Sequence, residues 1–324
     1  MNEKDRRLLA ELDKDARLAD STIAKRIGTS KQVIRYRIKR LREQGVIEGF
    51  YATIDVGAFG LASYYLFLQF QHLTREQEQA LFAQLRDRED VGWLVTGTGR
   101  WDAVLLLYAR SIAAFEQQLS SILLACGTHL HEHAFTILVG AEHLRYKFLP
   151  STAIPTAQQT TAPRLTAPHP DTLAILDAIA QDARAPVTAL AAKAGLPTHV
   201  VRYRLRECVR NGTITGFKPK LDIHAFGLQW HLLLLALHPT TPERMRLFLA
   251  ACRDHVAVYY VTRTIGTYNL MLDLHVHGIE EFRDTLAFLK ERFADIIKTY
   301  ESVTVFAEHK IDYLPKAMVA QADS

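Results

Sequence analysis

The strongest constraint on this chain is that its second half repeats its first. A shift of 167 residues brings Arg35 onto Arg202, Asp15-Ala16-Arg17 onto Asp182-Ala183-Arg184, Asp55 onto Asp222, Gly99 onto Gly266 and Phe115 onto Phe282. Between residues 33–61 and 200–228, 13 of 29 positions are identical, among them AFGL at 58–61 and 225–228. The register then slips by one, so that Ala141-Glu142-His143 meets Ala307-Glu308-His309, and both halves close on Leu-Pro, at 149–150 and 314–315. A period this long is a duplicated set of domains rather than a solenoid. The two halves must therefore share one architecture.

Each half divides again. Residues 1–60 are basic and helical in pattern. Leu8, Leu9 and Leu12 mark a first helix, and Ile23, Ala24 and Ile27 a second with Asp20 or Ser21 as its cap. Gly28-Thr29 makes a tight turn. A third helix opens at Thr29-Ser30, buries Ile34, Ile38 and Leu41, and stops at Gly45. The alternating VIEGFYATIDV that follows predicts a short hairpin, giving a winged helix-turn-helix. Residues 61–149 read as strand 63–71, helix 74–88, strands 91–99 and 101–109, helix 112–126 and strand 129–140. The order βαββαβ predicts a four-stranded antiparallel sheet with both helices on one face. Its other face is apolar and needs a cover, most simply a second copy of the same domain. The fold class is α+β, with this pair of domains occurring twice.

The domain boundaries follow: helix-turn-helix domains at 1–60 and 170–227, βαββαβ domains at 61–149 and 228–315, and a tail at 316–324. Residues 150–169, rich in Pro, Thr, Ala and Gln without apolar periodicity, read as a semi-extended linker.

The third helix carries the charge. Residues 30–44 hold six basic residues against the single acid Glu43. With Ile34, Ile38 and Leu41 inward, Lys31, Gln32, Arg35, Tyr36 and Lys39 point outward, where such a helix meets base edges and phosphates of double-stranded DNA. A basic helix face alone is often only a solvated surface; the helix-turn-helix setting favours DNA. The equivalent residues downstream are Thr198, His199, Arg202, Tyr203 and Arg206, with Pro197 in the first turn and Cys208 in place of Leu41. Residues 1–50 carry 13 basic and 8 acidic groups, net +5, and 168–217 carry 6 and 4, net +2. The first reader is expected to bind phosphate more tightly.

Bulk properties exclude several classes. The net charge of +4 confines any nucleic-acid footprint to local patches. Cys126, Cys208 and Cys252 lie far apart, supporting neither a disulfide framework nor a zinc ribbon, so a reducing, cytoplasmic setting is expected. The amino terminus has no signal core, and the most apolar run, Trp230–His238, is too short to span a bilayer.

A helix-turn-helix containing SKQVIRYRIKRLREQGVI, then a βαββαβ domain containing VTGTGRWDAVLLL, resembles the Lrp/AsnC (feast/famine) transcriptional regulators across almost the whole chain, twice. Arg37, Ile38, Leu41, Gly45, Ile47 and Thr98-Gly99-Arg100-Trp101-Asp102 carry the likeness. The resemblance implies ferredoxin-like, RAM-type effector domains that dimerise through their sheets. It also implies a small effector such as an amino acid near Thr98, Gly99 and Asp102, and a homodimer or larger assembly through the effector domains. No cofactor is implied. This chain departs from the pattern by carrying two units, and its second loop, Ile265-Gly266-Thr267-Tyr268-Asn269, lacks both the Thr and the Asp, leaving Gly266 and Asn269 as the counterparts. An Asp after a glycine turn also commonly bonds nearby backbone.

Histidines alternate at His129, His131 and His133, and again at His275 and His277. They read as polar strand residues rather than metal ligands, since no acid or Cys stands at a supporting spacing. A rival enzyme reading comes from sirohaem decarboxylases, which resemble the same regulators and include two-unit fusions. The intact basic helix favours the non-enzymatic regulator.

Overall fold

The computed structural model describes residues 1–150, 157–160, 169–180 and 182–315. Of the linker expected at 150–169, residues 151–156 and 161–168 lie outside the described residues, as does the tail expected at 316–324. The first repeat consists of α1 (Glu3–Lys14), α2 (Asp20–Ile27), α3 (Lys31–Glu43), β1 (Ile47–Ile54), β2 (Ala62–Phe70), α4 (Arg75–Asp87), β3 (Val91–Gly99), β4 (Ala103–Ala109), α5 (Ile112–Cys126) and β5 (Leu130–His143). A short strand β6 (Ala157–Thr160) follows. The second repeat consists of α6 (Pro170–Ala180), α7 (Val187–Ala194), α8 (Thr198–Arg210), β7 (Ile214–Leu221), β8 (Gln229–Leu237), α9 (Pro242–Asp254), β9 (Val258–Gly266), β10 (Leu270–Val276), α10 (Ile279–Phe293) and β11 (Ile297–Ile311).

These elements sort into two compact units that cut across the repeats. One holds Met1–Asp55 with the described parts of Glu142–Gln159 and Pro168–Leu228, which gathers both helix-turn-helix segments. The other holds Val56–Ala141 and the region from Gln229 onward, which gathers both βαββαβ segments.

In the helix-turn-helix unit, Asn2 and Asp5 form a capping box at the start of α1. Gly28 ends α2 at φ +69°, and Ser30 caps α3 by accepting from the Val33 N–H at 3.3 Å. The cap expected for α2 at Asp20 or Ser21 is instead Ala19, with no side-chain bond, and Asp20 is already helical. Pro197 likewise stands one position before α8, as its N-cap. The predicted hairpin is absent. β1 is a single strand that pairs antiparallel with β7 of the other repeat, from Ile47↔Leu221 to Ile54↔Ile214. Alternation demanded a strand partner, and duplication supplied one that no tight turn had to provide. The junction is reciprocal. Ala16 N–H donates to the Phe217 carbonyl and Ala183 N–H to the Phe50 carbonyl, both at 2.9 Å. Arg17 donates to the carbonyls of Ala183 and Ala185, and Arg184 to those of Ala16 and Leu18. Each guanidinium also lies over an aromatic ring, Arg17 at 5.6 Å from Phe217 and Arg184 at 5.4 Å from Phe50.

In the second unit, β3-β4-β2-β5 and β9-β10-β8-β11 are the two four-stranded sheets. Helices α4 and α5 cover the outer face of the first, burying Leu81, Phe82, Leu85, Phe115 and Ile122 against Leu66, Leu68, Leu94 and Leu105. The inner faces meet in a common core of Tyr65, Phe67, Val95, Trp101, Val104, Leu232, Leu234, Met271 and Val303. The cover for each apolar face is therefore the other half of the same chain. The terminal strands change partner along their length: β11 pairs with β8 over Ile297–Thr304, then with β3 over Val303–Ile311. β5 pairs with β2 and stands next to β9, so the strand order closes on itself. Closure leaves no free edge among these eight strands.

Candidate nucleic-acid interface and effector loops

The basic run of α3 is of two kinds. Arg37 and Arg40 turn inward to Asp5, at 2.5 and 2.7 Å, and tie α3 to α1. Asp5 is wholly buried. Burial raises its carboxyl, but the Asn2 backbone, Arg37 and Arg40 outweigh it and hold it below the usual carboxylate range. Lys31, Gln32, Arg35, Tyr36 and Lys39 are exposed, with Tyr36 at 64%. Arg35 Nε reaches Asp20 Oδ2 at 3.0 Å, and Asp20 Oδ1 accepts from Arg184 Nη2 of the other repeat at 2.6 Å. Asp20, read as a cap, thus orients an outward arginine; only the three-dimensional neighbours of α2 reveal it. Lys39 pairs with Glu43 at 3.7 Å on the surface.

The second helix face keeps the shape and changes the chemistry. His199, Arg202, Tyr203 and Arg206 are exposed, with Tyr203 at 60%, whereas Thr198 is half-buried. Asp5 and Arg40 are replaced by Thr172 and Glu207, and Glu207 now holds Arg204 at 3.0 Å. The inner arginine of the shared RYR is therefore structural in both repeats. Val187 stands where Asp20 would hold Arg202.

The effector-loop residues are occupied by the fold. Asp102 Oδ2 accepts from the Phe70 N–H at 2.7 Å, and Asn269 Oδ1 accepts from the Leu237 N–H at 2.8 Å, an equivalent bond. The backbone-bonding role of Asp102 is thus present, and the change to Asn preserves it. Gly99, at φ +137°, and Gly266, at φ +132°, sit where a Cβ would strike the carbonyls of Ser302 and Phe135, at 2.1 and 2.8 Å. Both glycines let a loop approach the other half's last strand. Thr98 is exposed on β3, paired with Thr304. The two loops meet through Trp101 and Tyr268, whose side chains are hydrogen-bonded. Arg100 is drawn to Glu132 and Glu301.

His131 and His133 are exposed on β5, and His275 stacks on Tyr259 at 4.6 Å. Among the described residues no group of three or more His, Cys, Asp or Glu could hold a metal ion, and no helix is long and apolar enough to cross a membrane.

The geometry defines a tandem winged helix-turn-helix protein whose paired readers accompany paired βαββαβ domains. A family model described as winged helix-turn-helix DNA-binding matches residues 1–48 and 172–215. The chain belongs to the Lrp/AsnC family of regulators. It is 32% identical over 123 residues to the HTH-type transcriptional regulator LrpA of Mycobacterium tuberculosis, covering 38% of this chain and 81% of that one. It is 33% identical over 111 residues to AldR of Mycolicibacterium smegmatis, covering 34% of this chain and 65% of the relative, so it spans less than two thirds of that relative's length. The fold of the whole chain is similar to that of the siroheme decarboxylase NirDL, with a TM-score of 0.63 at 12% identity and 100% coverage of both chains.

Proposed function

We propose that the chain is a sequence-specific, DNA-binding transcriptional regulator whose two readers form one built-in pair. The observation that supports this best is the outward set on α3, Lys31, Gln32, Arg35, Tyr36 and Lys39, on a helix whose Arg37 and Arg40 are held inward by Asp5. Outward donors at the start of such a helix suit base edges, and Lys39 and Arg206 suit phosphates. Lys31-Gln32 against Thr198-His199 favours two unlike half-sites. The effector, on this reading an amino acid, would sit near Thr98, Gly99 and Asp102 in one half and Gly266 and Asn269 in the other. Because the inner sheet faces are consumed within the chain, assembly into a homodimer or larger species would use other surfaces of the effector domains.

A mobility-shift assay with Arg35→Ala and Arg202→Ala tests the reading. Loss of the specific complex, larger for Arg35, is expected; binding unchanged in both variants overturns it. The full-length likeness to NirDL supports a second reading, a decarboxylase-like fused enzyme. Addition of sirohaem to the purified chain separates the two: a regulator gives no bound-sirohaem absorbance band and no decarboxylated product.

A further inference from the structure

The two readers differ in how their matching arginines are held. Arg35 Nε donates to Asp20 Oδ2 at 3.0 Å, yet the arginine side chain stays 65% exposed. Among the described residues its two Nη groups make no hydrogen bond. A guanidinium held at Nε keeps its Nη1–Nη2 end free, as a rigid fork of two N–H donors.

An ion pair between two mobile surface side chains would fix little. Here the acid is anchored first. Asp20 is only 14% exposed and stands in the first turn of α2, where the helix dipole favours a carboxylate. Its Oδ1 accepts from Arg184 Nη2 at 2.6 Å. Arg184 is fixed in turn by the carbonyls of Ala16 and Leu18, and its guanidinium lies 5.4 Å from the Phe50 ring. The line Phe50, Arg184, Asp20, Arg35 thus runs from the reciprocal junction out to the reader's face. Arg35 loses much of its side-chain freedom on folding rather than on binding.

The second reader lacks this line. Val187 stands in the place of Asp20, so neither Arg17 nor Arg202 meets a carboxylate there. Arg17 keeps its carbonyl partners, Ala183 and Ala185, and the relay stops with it.

We propose that Asp20, anchored by Arg184, positions Arg35 to read a guanine in the major groove, and that the unanchored Arg202 meets phosphate instead. The inference rests on the DNA-binding reading above. Guanine presents two acceptors side by side, O6 and N7, to such a fork, whereas adenine sets an amino donor against it. Asp20 also restrains unselective binding. It places a negative charge beside the DNA face and tethers Arg35 away from the backbone.

The test selects DNA bound by the full chain from a random pool. Affinities are then measured for the recovered site, for that site with each G·C pair changed to A·T, and for random DNA. One guanine is expected whose replacement weakens the unsubstituted chain roughly tenfold and leaves Arg35→Ala and Asp20→Ala nearly unaffected. Asp20→Ala should bind random DNA at least as tightly as the unsubstituted chain, with a salt slope steeper by about 1, because the freed arginine reaches a phosphate. Retained binding of random DNA also shows that the variant is folded. Asp20→Asn, which keeps an acceptor for Nε, should retain more of the guanine preference than Asp20→Ala. Arg202→Ala should weaken binding to all sequences alike. The proposal is overturned if Asp20→Ala keeps the full guanine preference, or if it weakens site and random DNA equally, as loss of a merely structural ion pair would. An unsubstituted chain with no preferred site overturns the regulator reading itself, and this inference with it.

Discussion

Trp101 Nε1 donates to the Tyr268 hydroxyl at 2.7 Å, and the two residues occupy the same position of their repeats, 167 apart. The hydroxyl passes the chain on to Glu301. Identical halves would set Trp against Trp or Tyr against Tyr and could not make this bond. The repeats have become complementary rather than merely similar. Tyr268→Phe leaves the buried Trp101 N–H unsatisfied and should cost about 1–3 kcal/mol of stability by chemical denaturation. A cost below about 0.5 kcal/mol would mean that the bond contributes little beyond packing.

A second asymmetric contact is the buried Asp13–Lys218 pair, at 3.1 Å, with Tyr146 N–H donating to the other Asp13 oxygen at 3.0 Å. Burial pushes the Asp13 carboxyl up against the pull of Lys218. Lys218→Met strands a buried carboxylate and should destabilise the chain by roughly 3–5 kcal/mol, whereas adding Asp13→Leu should restore most of the loss. Thermal melting of the single and double variants measures the difference.

Salt dependence distinguishes phosphate contacts from base contacts. Replacing both Lys31 and Lys39 by Gln should lower the slope of log affinity against log salt by about 2 if both meet phosphates. The same pair of changes at Arg37 and Arg40 should destabilise the reader instead, because the buried Asp5 loses both of its guanidinium partners.

Asp273 makes stability depend on pH. Enclosure pushes its carboxyl up to about 7, against the Trp230 hydrogen bond and with Glu308 adding to the rise. A raised folded-state value favours the protonated form. The site's contribution is therefore full below about pH 4 and is lost as pH rises to 7. Asp273→Asn should raise the melting temperature more at pH 8 than at pH 5, with a ceiling of roughly 4 kcal/mol at 1.36 kcal/mol per unit. An equal effect at both values would show that the carboxyl titrates normally.

The duplication, the α+β class and the outward face of α3 were legible because repetition and apolar period are local signals. Helix Ile112–Cys126 falls on the residues its pattern indicated. Partner choice was not legible. Alternation over 46–56 calls for a strand but says nothing of which strand lies beside it, so the predicted hairpin is in truth the β1–β7 pair. The same limit hid Asp20: its carboxylate serves Arg35 and Arg184, which are distant in sequence. The change from Asp102 to Asn269 read as a lost carboxylate, yet both side chains accept an equivalent backbone bond. A residue type shows what can be accepted, and only the fold shows from whom.

The crossing of β11 from β8 to β3 has a consequence for synthesis. When the first repeat leaves the ribosome, the edge of β3 has no partner and will have none until the last strand is made. Some 167 further residues, at about 5–20 residues per second, leave that edge open for roughly 10–30 s. Throughout that interval the strand waiting on a neighbouring nascent chain is chemically identical to the one the first repeat is waiting for. Being joined in one chain is what gives the correct copy its advantage, by keeping it close at hand when it finally appears.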